Sequence, residues 1–198
     1  MPNKELLLQI ADLIEHETDG GPTYDQNSWG RVDDGFLPIS LDDIPKKKKP
    51  LCNTSACIAG WAAILSDYTE PRVELLTFRT GMAAEGTHYI TGYNWAKAPT
   101  LLEVTAWEVR HDALHWSRLN SQVDRIGENF QLNITEMGLF LLDLGPDYES
   151  LFDGSWMPLE GMTVPEALRA IADGASLAEV TWRSPWETEF NEENEVTS

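Results

Sequence analysis

The distribution of apolar positions predicts one helix that is buried on every side. Between Ala56 and Leu65 no side chain is charged, and apolar or small residues fall on all faces of a helical projection. A helix without a polar face has to be enclosed by the rest of the protein. The stretch is too short to span a bilayer, which takes about 20 apolar residues. We therefore predict a central buried helix at 55–66, with Thr54 or Ser55 as its N-cap.

Amphipathic helices are predicted on both sides of this segment. Helical spacing of apolar residues, with capping signals at several starts, predicts helices at 4–17, 100–119, 134–144 and 163–174. Residues 73–80 and 87–95 are instead rich in β-formers and predict a β-hairpin over 73–95. We expect a mainly α fold, a compact helical domain built around the helix at 55–66. An α+β fold, with the hairpin as an insertion, stays open as the alternative.

One domain is the expected organisation. With 198 residues, of which 42% are hydrophobic, the chain can bury a substantial core. We predict a single globular domain at 1–182, within which 67–133 is an insertion. From Arg183 onward glutamates dominate and large apolar residues become scarce, so 183–198 is predicted to be an acidic, disordered tail.

Charge limits the kinds of partner. The sequence has 33 acidic and 14 basic side chains, and its formal net charge is −19. Proteins that bind nucleic-acid phosphates use lysine and arginine, and anionic membrane surfaces attract basic segments. We therefore expect no direct binding to nucleic acid or membrane. The charge fits either an acidic surface that keeps the protein in solution or a surface that binds a basic protein.

Cysteine usage and hydropathy suggest a cellular compartment. Two cysteines in a chain of this length favour a reducing environment over a disulfide scaffold. Neither a signal-peptide pattern nor an apolar run long enough to span a bilayer occurs. We expect a cytoplasmic protein that needs no cofactor, and the pattern does not indicate an oligomeric state.

The carboxyl-terminal half contains the candidate partner-binding residues. Arg169 is the only cation in 133–181, and the apolar residues of the predicted helices must face inward, so we expect the carboxylates to form a negative surface. Three of the eight tryptophans lie in polar or acidic surroundings near the carboxyl end. Tryptophan is enriched at interface hot spots, although these side chains could equally strap the tail to the domain. The candidate partner-binding residues are Trp156, Trp182, Trp186, Glu149, Asp153 and Glu160.

Two arrangements of residues could support chemistry. Cys52 or Cys57 lies near a predicted helix start, where the helix dipole lowers a thiol pKa, and His88, His111 or His115 could act as the base. A zinc site is the second arrangement, with the ligand set Cys52, Cys57, His111 and His115 and both histidines on one face of the predicted helix. The apolar neighbours of the cysteines favour an inert buried thiol instead, and the histidines also fit ordinary amphipathic packing.

One family resemblance can be stated from these residues. Residues 52–62 resemble the signature Cys-Gly-Thr-x-x-Cys-Ile-Ala-Gly-x-Ala of a family of uncharacterised phage and bacterial proteins, many of them actinobacterial. Further segments similar to that family lie at 24–30, 137–141, 151–152 and 163–167. The likeness covers 4–66 and 134–182, whereas 67–133 has no counterpart and Asn53 stands where the family has glycine. The family has no established activity, so the resemblance implies a phage or prophage setting and not a mechanism.

These observations lead to one preferred function and two alternatives. We expect a non-enzymatic, acidic interaction protein, encoded by a phage, that binds and modulates a host protein with a basic surface. A sharper version of this hypothesis is that its acidic face mimics nucleic acid. The alternatives are a cysteine-dependent enzyme that uses Cys52 or Cys57 with a histidine base, and a small structural zinc protein.

Overall fold

The computed structural model describes residues 2–17, 23–26, 31–32, 54–75, 88–123 and 133–182, and at 31–32, 54–55, 70–75 and 88–92 it describes the backbone only. The helices are α1 (Lys4–Glu15), α2 (Ile58–Leu65), α3 (Leu101–Arg110), α4 (Leu119–Val123), α5 (Ile134–Leu141), a 3₁₀ helix (Pro146–Phe152), α6 (Val164–Ala172) and α7 (Leu177–Val180). The strands are β1 (Thr23–Tyr24), β2 (Arg31–Val32), β3 (Thr54–Ala56), β4 (Thr69–Leu75) and β5 (His88–Trp95). The mainly helical fold class is confirmed. None of the helices in these ranges is long and apolar enough to cross a bilayer.

The strands form one small sheet with the order β1-β3-β2-β5-β4. β1 and β3 are parallel, and the other neighbours are antiparallel. The predicted hairpin is present as β4 and β5, although it begins earlier than expected, with Thr69 opposite Trp95. The register shifts between Arg72 and Val73, where one strand has an extra residue.

The central buried helix is α2. Ile58, Ala59, Trp61 and Ala62 have no exposed surface, as a helix apolar on every side requires. Its predicted N-cap was wrong. Residues 54–56 are strand β3, which pairs with β1 and β2, so the helix begins later and Cys57 is the N-cap.

Helix α3 ends nine residues before the predicted end at residue 119. Asp112 adopts the left-handed conformation, with a φ of 54°, and the Ala113 N–H donates to the Glu108 carbonyl at 2.7 Å. This is the Schellman arrangement that closes a helix. The sequence prediction failed here because an aspartate, and not a glycine or asparagine, takes the left-handed position. His111 is the C-cap and His115 lies beyond the helix, so the two histidines do not share a helical face.

The same arrangement ends α5 and α6. At the end of α5, Asp143 has a φ of 50° and the Leu144 N–H donates to the Leu139 carbonyl at 2.9 Å. At the end of α6, Gly174 takes the left-handed position. The prediction that α5 reaches residue 144 was therefore about three residues too long.

Long-range contacts join both ends of the described chain. α1 packs on α6. Asn3, the N-cap of α1, donates from its side chain to the Leu141 carbonyl at 3.0 Å. α2 packs on α5 so closely that a Cβ on Gly138 would lie 3.0 Å from Ala59 Cβ and 3.0 Å from Phe152 Cε1. The small residues of α2 and α5 are what permit this approach.

Residues 23–26 contact core segments that lie far from them in the sequence. The Trp61 indole N–H donates to the Thr23 carbonyl at 3.0 Å, and Gln26 Nε2 donates to the Leu151 carbonyl at 2.9 Å. Residues from 67–133 belong to the same core. The Trp107 indole N–H donates to the carbonyl of Leu144, which lies just after α5, at 2.9 Å. The predicted acidic tail, 183–198, lies outside the described residues.

Candidate interaction surface

Three large apolar side chains are exposed together near the carboxyl end of the described chain. Met157, Leu159 and Trp182 have 53%, 43% and 38% of their surface accessible. We call these three residues the carboxyl-terminal patch. Exposed apolar groups that lie close together are typical of interaction sites, whereas single exposed apolar residues are common on any protein.

Two extended segments position the carboxyl-terminal patch. The Trp182 N–H donates to the Met157 carbonyl at 3.1 Å, and the Leu159 N–H donates to the Val180 carbonyl at 2.8 Å. Pro158 and Thr181 form an antiparallel bridge between these two bonds. The backbone of all three patch residues is therefore fixed by hydrogen bonds across the two segments.

Trp156 belongs to the core and not to the exposed surface for which it was proposed. Only 7% of its surface is accessible, and its indole N–H donates to Thr181 Oγ1 at 3.0 Å. The buried Trp156 side chain therefore links the two extended segments to each other. Trp186 lies outside the described residues. Of the three candidate tryptophans, Trp182 is the one that the structure places on the surface.

Acidic side chains are exposed throughout the same half of the molecule. Arg169 is the only cation in 133–181. Its Nη2 donates to two carboxylates of α1, to Asp12 Oδ1 at 2.7 Å and to Glu15 Oε2 at 2.5 Å. The exposed carboxylates of this half are Asp147, Glu149, Asp153, Glu160, Glu166, Asp173 and Glu179. The three predicted acidic partner residues are among them. Hydrogen bonds from the Ser155 N–H and hydroxyl hold the pKa of Asp153 below its usual value, so this carboxylate is ionised at neutral pH.

One carboxylate contradicts the expectation that all acidic groups of this half face outward. Glu136 is only 3% exposed. The side chain of Asn133, the N-cap of α5, accepts from the N–H groups of Thr135 and Glu136, and no return bond from Glu136 closes a capping box. Glu136 Oε1 instead accepts from the Arg118 N–H at 2.5 Å. Its position in an almost wholly apolar helix is a signal that sequence reasoning could have used.

Glu108 is a second buried carboxylate that sequence reasoning missed. It is 1% exposed, and it accepts a hydrogen bond from Asn120 Nδ2. Burial raises the pKa of Glu108 and of Glu136, and for Glu136 the nearby charge of Glu108 raises it further. Helical spacing from Val104 and Trp107 puts Glu108 on the apolar face of α3, and this signal is visible in the sequence.

The proposed cysteine chemistry does not fit the described thiol. Cys57 is 3% exposed, and its Sγ accepts from the Gly60 N–H at 3.4 Å as the N-cap of α2. Burial raises the pKa of the Cys57 thiol, although hydrogen bonds from the helix start act in the opposite direction. A buried thiol with a raised pKa is a poor nucleophile. Cys52 lies outside the described residues, and the side chain of His88 is not described.

The zinc ligand set is not assembled from its described members. Cys57 is buried at the start of α2, whereas His115 is exposed. The His111 Nε2 lies 3.0 Å from Asp143 Oδ1. Across the described ranges, no three His, Cys, Asp or Glu side chains are close enough together to hold a metal ion.

An open groove lies between α1, α2, α3 and α5. Its volume is about 570 Å³, and its lining includes Tyr68, Glu103, Arg110 and Asp143. Arg110 donates to Asp143 Oδ1, so the positive charge of the groove is already paired. Glu103 accepts from the Tyr68 hydroxyl at 3.3 Å. Among its described lining residues, this groove therefore offers no free cation to an acidic ligand.

Comparisons of the chain with protein-family models, with curated proteins and with solved structures found no match. The resemblance to the phage family therefore stays a prediction. The features of the described residues that indicate a function are the carboxyl-terminal patch and the charges around it.

Proposed function

We propose that this chain is an acidic interaction protein that binds a basic partner protein through the carboxyl-terminal patch. The observation that carries the proposal is the exposure of Met157, Leu159 and Trp182 on a backbone that hydrogen bonds hold in place. A patch that is ordered before binding loses little conformational entropy when a partner docks. Tryptophan and methionine are also enriched at interfaces.

The charges in this half of the chain define the chemistry of the partner. Asp153 and Glu160 are close in sequence to the patch and exposed, and Glu179 lies three residues before Trp182. The exposed carboxylates of this half have one cation among them, Arg169, which is paired with α1. Complementary charge at the rim of an apolar site accelerates association and excludes partners of the wrong sign. The partner surface should therefore be apolar at its centre and rich in lysine or arginine around it.

In the phage setting that the resemblance implies, the partner is a protein of the host, and binding modulates that protein. A basic host site that normally accepts nucleic acid fits this chemistry, because the acidic side chains would take the place of phosphates. The apolar patch distinguishes this proposal from pure charge mimicry, since Trp182 and Leu159 have no counterpart in a phosphate backbone. Both features should contribute to affinity.

Photo-crosslinking tests the proposed surface. A photo-reactive amino acid is placed at position 159 of the full chain, and a matched control has it at position 102. Leu102 is also an exposed leucine, at 79%, but it lies on α3. In host lysate at low salt, the probe at 159 should give one dominant adduct that the probe at 102 does not give. Mass spectrometry then identifies the partner and the crosslinked peptide.

Two further measurements on the purified pair separate the contributions of the patch and of the charges. Trp182→Ala should weaken binding by at least about 2 kcal/mol if this residue is a hot spot, whereas Leu102→Ala should leave affinity unchanged. Raising the salt concentration should slow association. Equal adducts from positions 102 and 159, or an affinity that Trp182→Ala does not change, would contradict the proposed surface.

A further inference from the structure

Four buried side-chain oxygens on α3, α4 and α5 have no hydrogen-bond donor. In the described part of the chain they are Glu108 Oε1, Asn120 Oδ1, Gln122 Oε1 and Glu136 Oε2. Buried polar atoms are almost always paired, so an unpaired group needs a physical explanation. All four atoms are acceptors, so a hydrogen-bond donor or a cation would satisfy them.

Three of the four side chains meet at the turn that begins α4. Glu108 Oε2 accepts a hydrogen bond from Asn120 Nδ2. Glu136 Oε1 accepts from the Arg118 N–H at 2.5 Å. Each carboxylate therefore uses one oxygen to bind this turn and leaves the other oxygen free. Both carboxylates therefore lie against the same short segment, Arg118 to Asn120.

Two ionised carboxylates cannot be left together in a protein interior without compensation. Removing a single ionised group from water is already costly, and like charges at short range add to that cost. The guanidinium of Arg118 attracts Glu136, but the residue is exposed and bonds to neither free carboxylate oxygen. Protons on the carboxyl groups, a buried water or a bound cation can satisfy such oxygens. A water donates at most two hydrogen bonds, whereas one cation can bind several oxygens at once.

The donor set selects the kind of cation. All four free atoms are carboxylate or amide oxygens, which are ligands of hard cations, and the set contains no thiol or imidazole that would favour zinc. Ca²⁺ accepts carboxylate and amide oxygens in irregular geometry, whereas Mg²⁺ demands near-ideal octahedral geometry and retains its waters. A buried site with two amide ligands is therefore better suited to Ca²⁺. Two carboxylates would balance its charge.

We propose that Glu108, Asn120 and Glu136 form a Ca²⁺ site that joins α3, α4 and α5, with Gln122 of α4 as a source of a further oxygen. The site is separate from the carboxyl-terminal patch and does not depend on the proposed interaction. A bound ion would fix the short helix α4 against its two longer neighbours. Sequence reasoning could not find such a site, because its ligands lack the spacing of a calcium-binding loop.

Calorimetric titration with CaCl₂ tests the proposal. The full-length protein is first treated with chelator and is then titrated at neutral pH and constant ionic strength. We expect one saturable site per chain in addition to weak binding by the acidic surface. Glu108→Gln and Glu136→Gln should each weaken this site by at least about tenfold, because Ca²⁺ affinity follows the ligand charge. The matched control is Glu149→Gln, which removes an exposed carboxylate from the same acidic half.

Two additional measurements test the Ca²⁺ site if one of these variants fails to fold. Circular dichroism checks each variant, and Gln122→Glu adds a negative ligand that should tighten Ca²⁺ binding several-fold. Infrared spectra should show that Ca²⁺ removes any protonated carboxyl band present in the chelated protein. Equal binding by Glu108→Gln and Glu149→Gln would overturn the proposal, as would no saturable site or carboxyl bands that persist at saturating Ca²⁺. Tighter binding of MgCl₂ than of CaCl₂ would overturn the choice of ion.

Discussion

Glutamates in this protein occupy two opposite electrostatic environments. Glu103 and Glu166 are exposed and close capping boxes, and hydrogen bonds from the N-cap threonines hold the pKa of both carboxyls below its usual value. Burial raises the pKa of Glu108 and Glu136. The capping glutamates therefore stabilise the fold at higher pH and lose this effect as the pH falls through their folded pKa. The buried pair behaves in the opposite way.

The first prediction concerns the pH dependence of Glu108 in the presence of chelator. Because its folded pKa is raised, its contribution to stability is greatest below the unfolded pKa of about 4.3 and is lost as the pH rises toward the folded pKa. Glu108→Gln removes the ionisation and keeps the shape of the side chain. In urea denaturation, the free energy of unfolding of the variant relative to wild type should therefore increase between acidic and neutral pH. A difference that stays constant with pH would show that Glu108 does not titrate in this range.

The second prediction concerns the close approach of α2 and α5. Gly138→Ala gains about 1 kcal/mol of helix propensity, but the new methyl group would lie 3.0 Å from both Ala59 Cβ and Phe152 Cε1. Overpacking of this kind costs about 1–3 kcal/mol, so we expect a net loss of stability by chemical denaturation. Ala59→Gly removes one of the two contacts. A double-mutant cycle should show that Gly138→Ala costs less in the Ala59→Gly background, and an additive cycle would contradict the packing explanation.

At the scale of the elements, the ends of α3 and α5 have the same backbone geometry and can be compared directly. Asp112 ends α3 and Asp143 ends α5, and both have left-handed φ angles, of 54° and 50°, in Schellman arrangements. Their side chains differ in what they contact. Asp143 accepts from Arg110 and lies beside His111, whereas Asp112 is exposed. Backbone geometry and side-chain contacts can therefore be tested separately.

The third prediction compares Asp112→Gly with Asp143→Gly. Glycine adopts the left-handed conformation without a Cβ penalty, so Asp112→Gly should stabilise the protein by up to about 1 kcal/mol. Asp143→Gly gains the same backbone freedom but loses its contacts with Arg110 and His111, so its effect should be smaller or destabilising. The measurement is the free energy of unfolding in denaturant at neutral pH. Equal stabilisation by both variants would show that the Asp143 contacts contribute nothing.

Sequence patterns predicted a helix correctly where residues close together in the sequence decide the structure. The buried helix α2 follows from an uncharged stretch, and α6 follows from its Thr163 and Glu166 capping box. The end of α3 was mispredicted because Asp112 takes a conformation more often occupied by glycine. The burial of Trp156 depends on what packs over it, and the residue pattern alone does not reveal this. For the candidate site, the sequence predicted Trp182 and the exposed acids but missed Met157 and Leu159.

At the scale of the whole molecule, repulsion between negative charges destabilises the folded state. The formal net charge is −19. Among the described cations, Lys4, Arg110 and Arg169 are already engaged with carboxylates. Exposed charges of one sign repel one another over distances that salt can screen. The molecule as a whole should therefore be more stable when its surface charge is screened.

The fourth prediction concerns this screening. An increase from about 10 mM to about 150 mM salt shortens the Debye length from about 30 Å to about 8 Å. We expect the Tm to rise by roughly 2–4 °C, which corresponds to about 1 kcal/mol for a chain of this size. Calorimetry in NaCl and in tetramethylammonium chloride distinguishes screening from specific ion binding. A Tm that falls as either salt is added would contradict the prediction.

The pairing of α1 with α6 has a consequence for how the protein is made. Lys4 Nζ lies 2.6 Å from Asp173 Oδ1. Arg169 donates a hydrogen bond to Glu15, which lies 154 residues earlier in the sequence. A ribosome adds about 5–20 residues per second, so α1 would wait roughly 8–30 s for the helix that covers it. During this interval the apolar face formed by Leu6, Leu7 and Ile10 has no α6 to bury it. Nascent chains that stop before residue 164 should therefore be preferred clients of ribosome-associated chaperones, and chains that include α6 should be released.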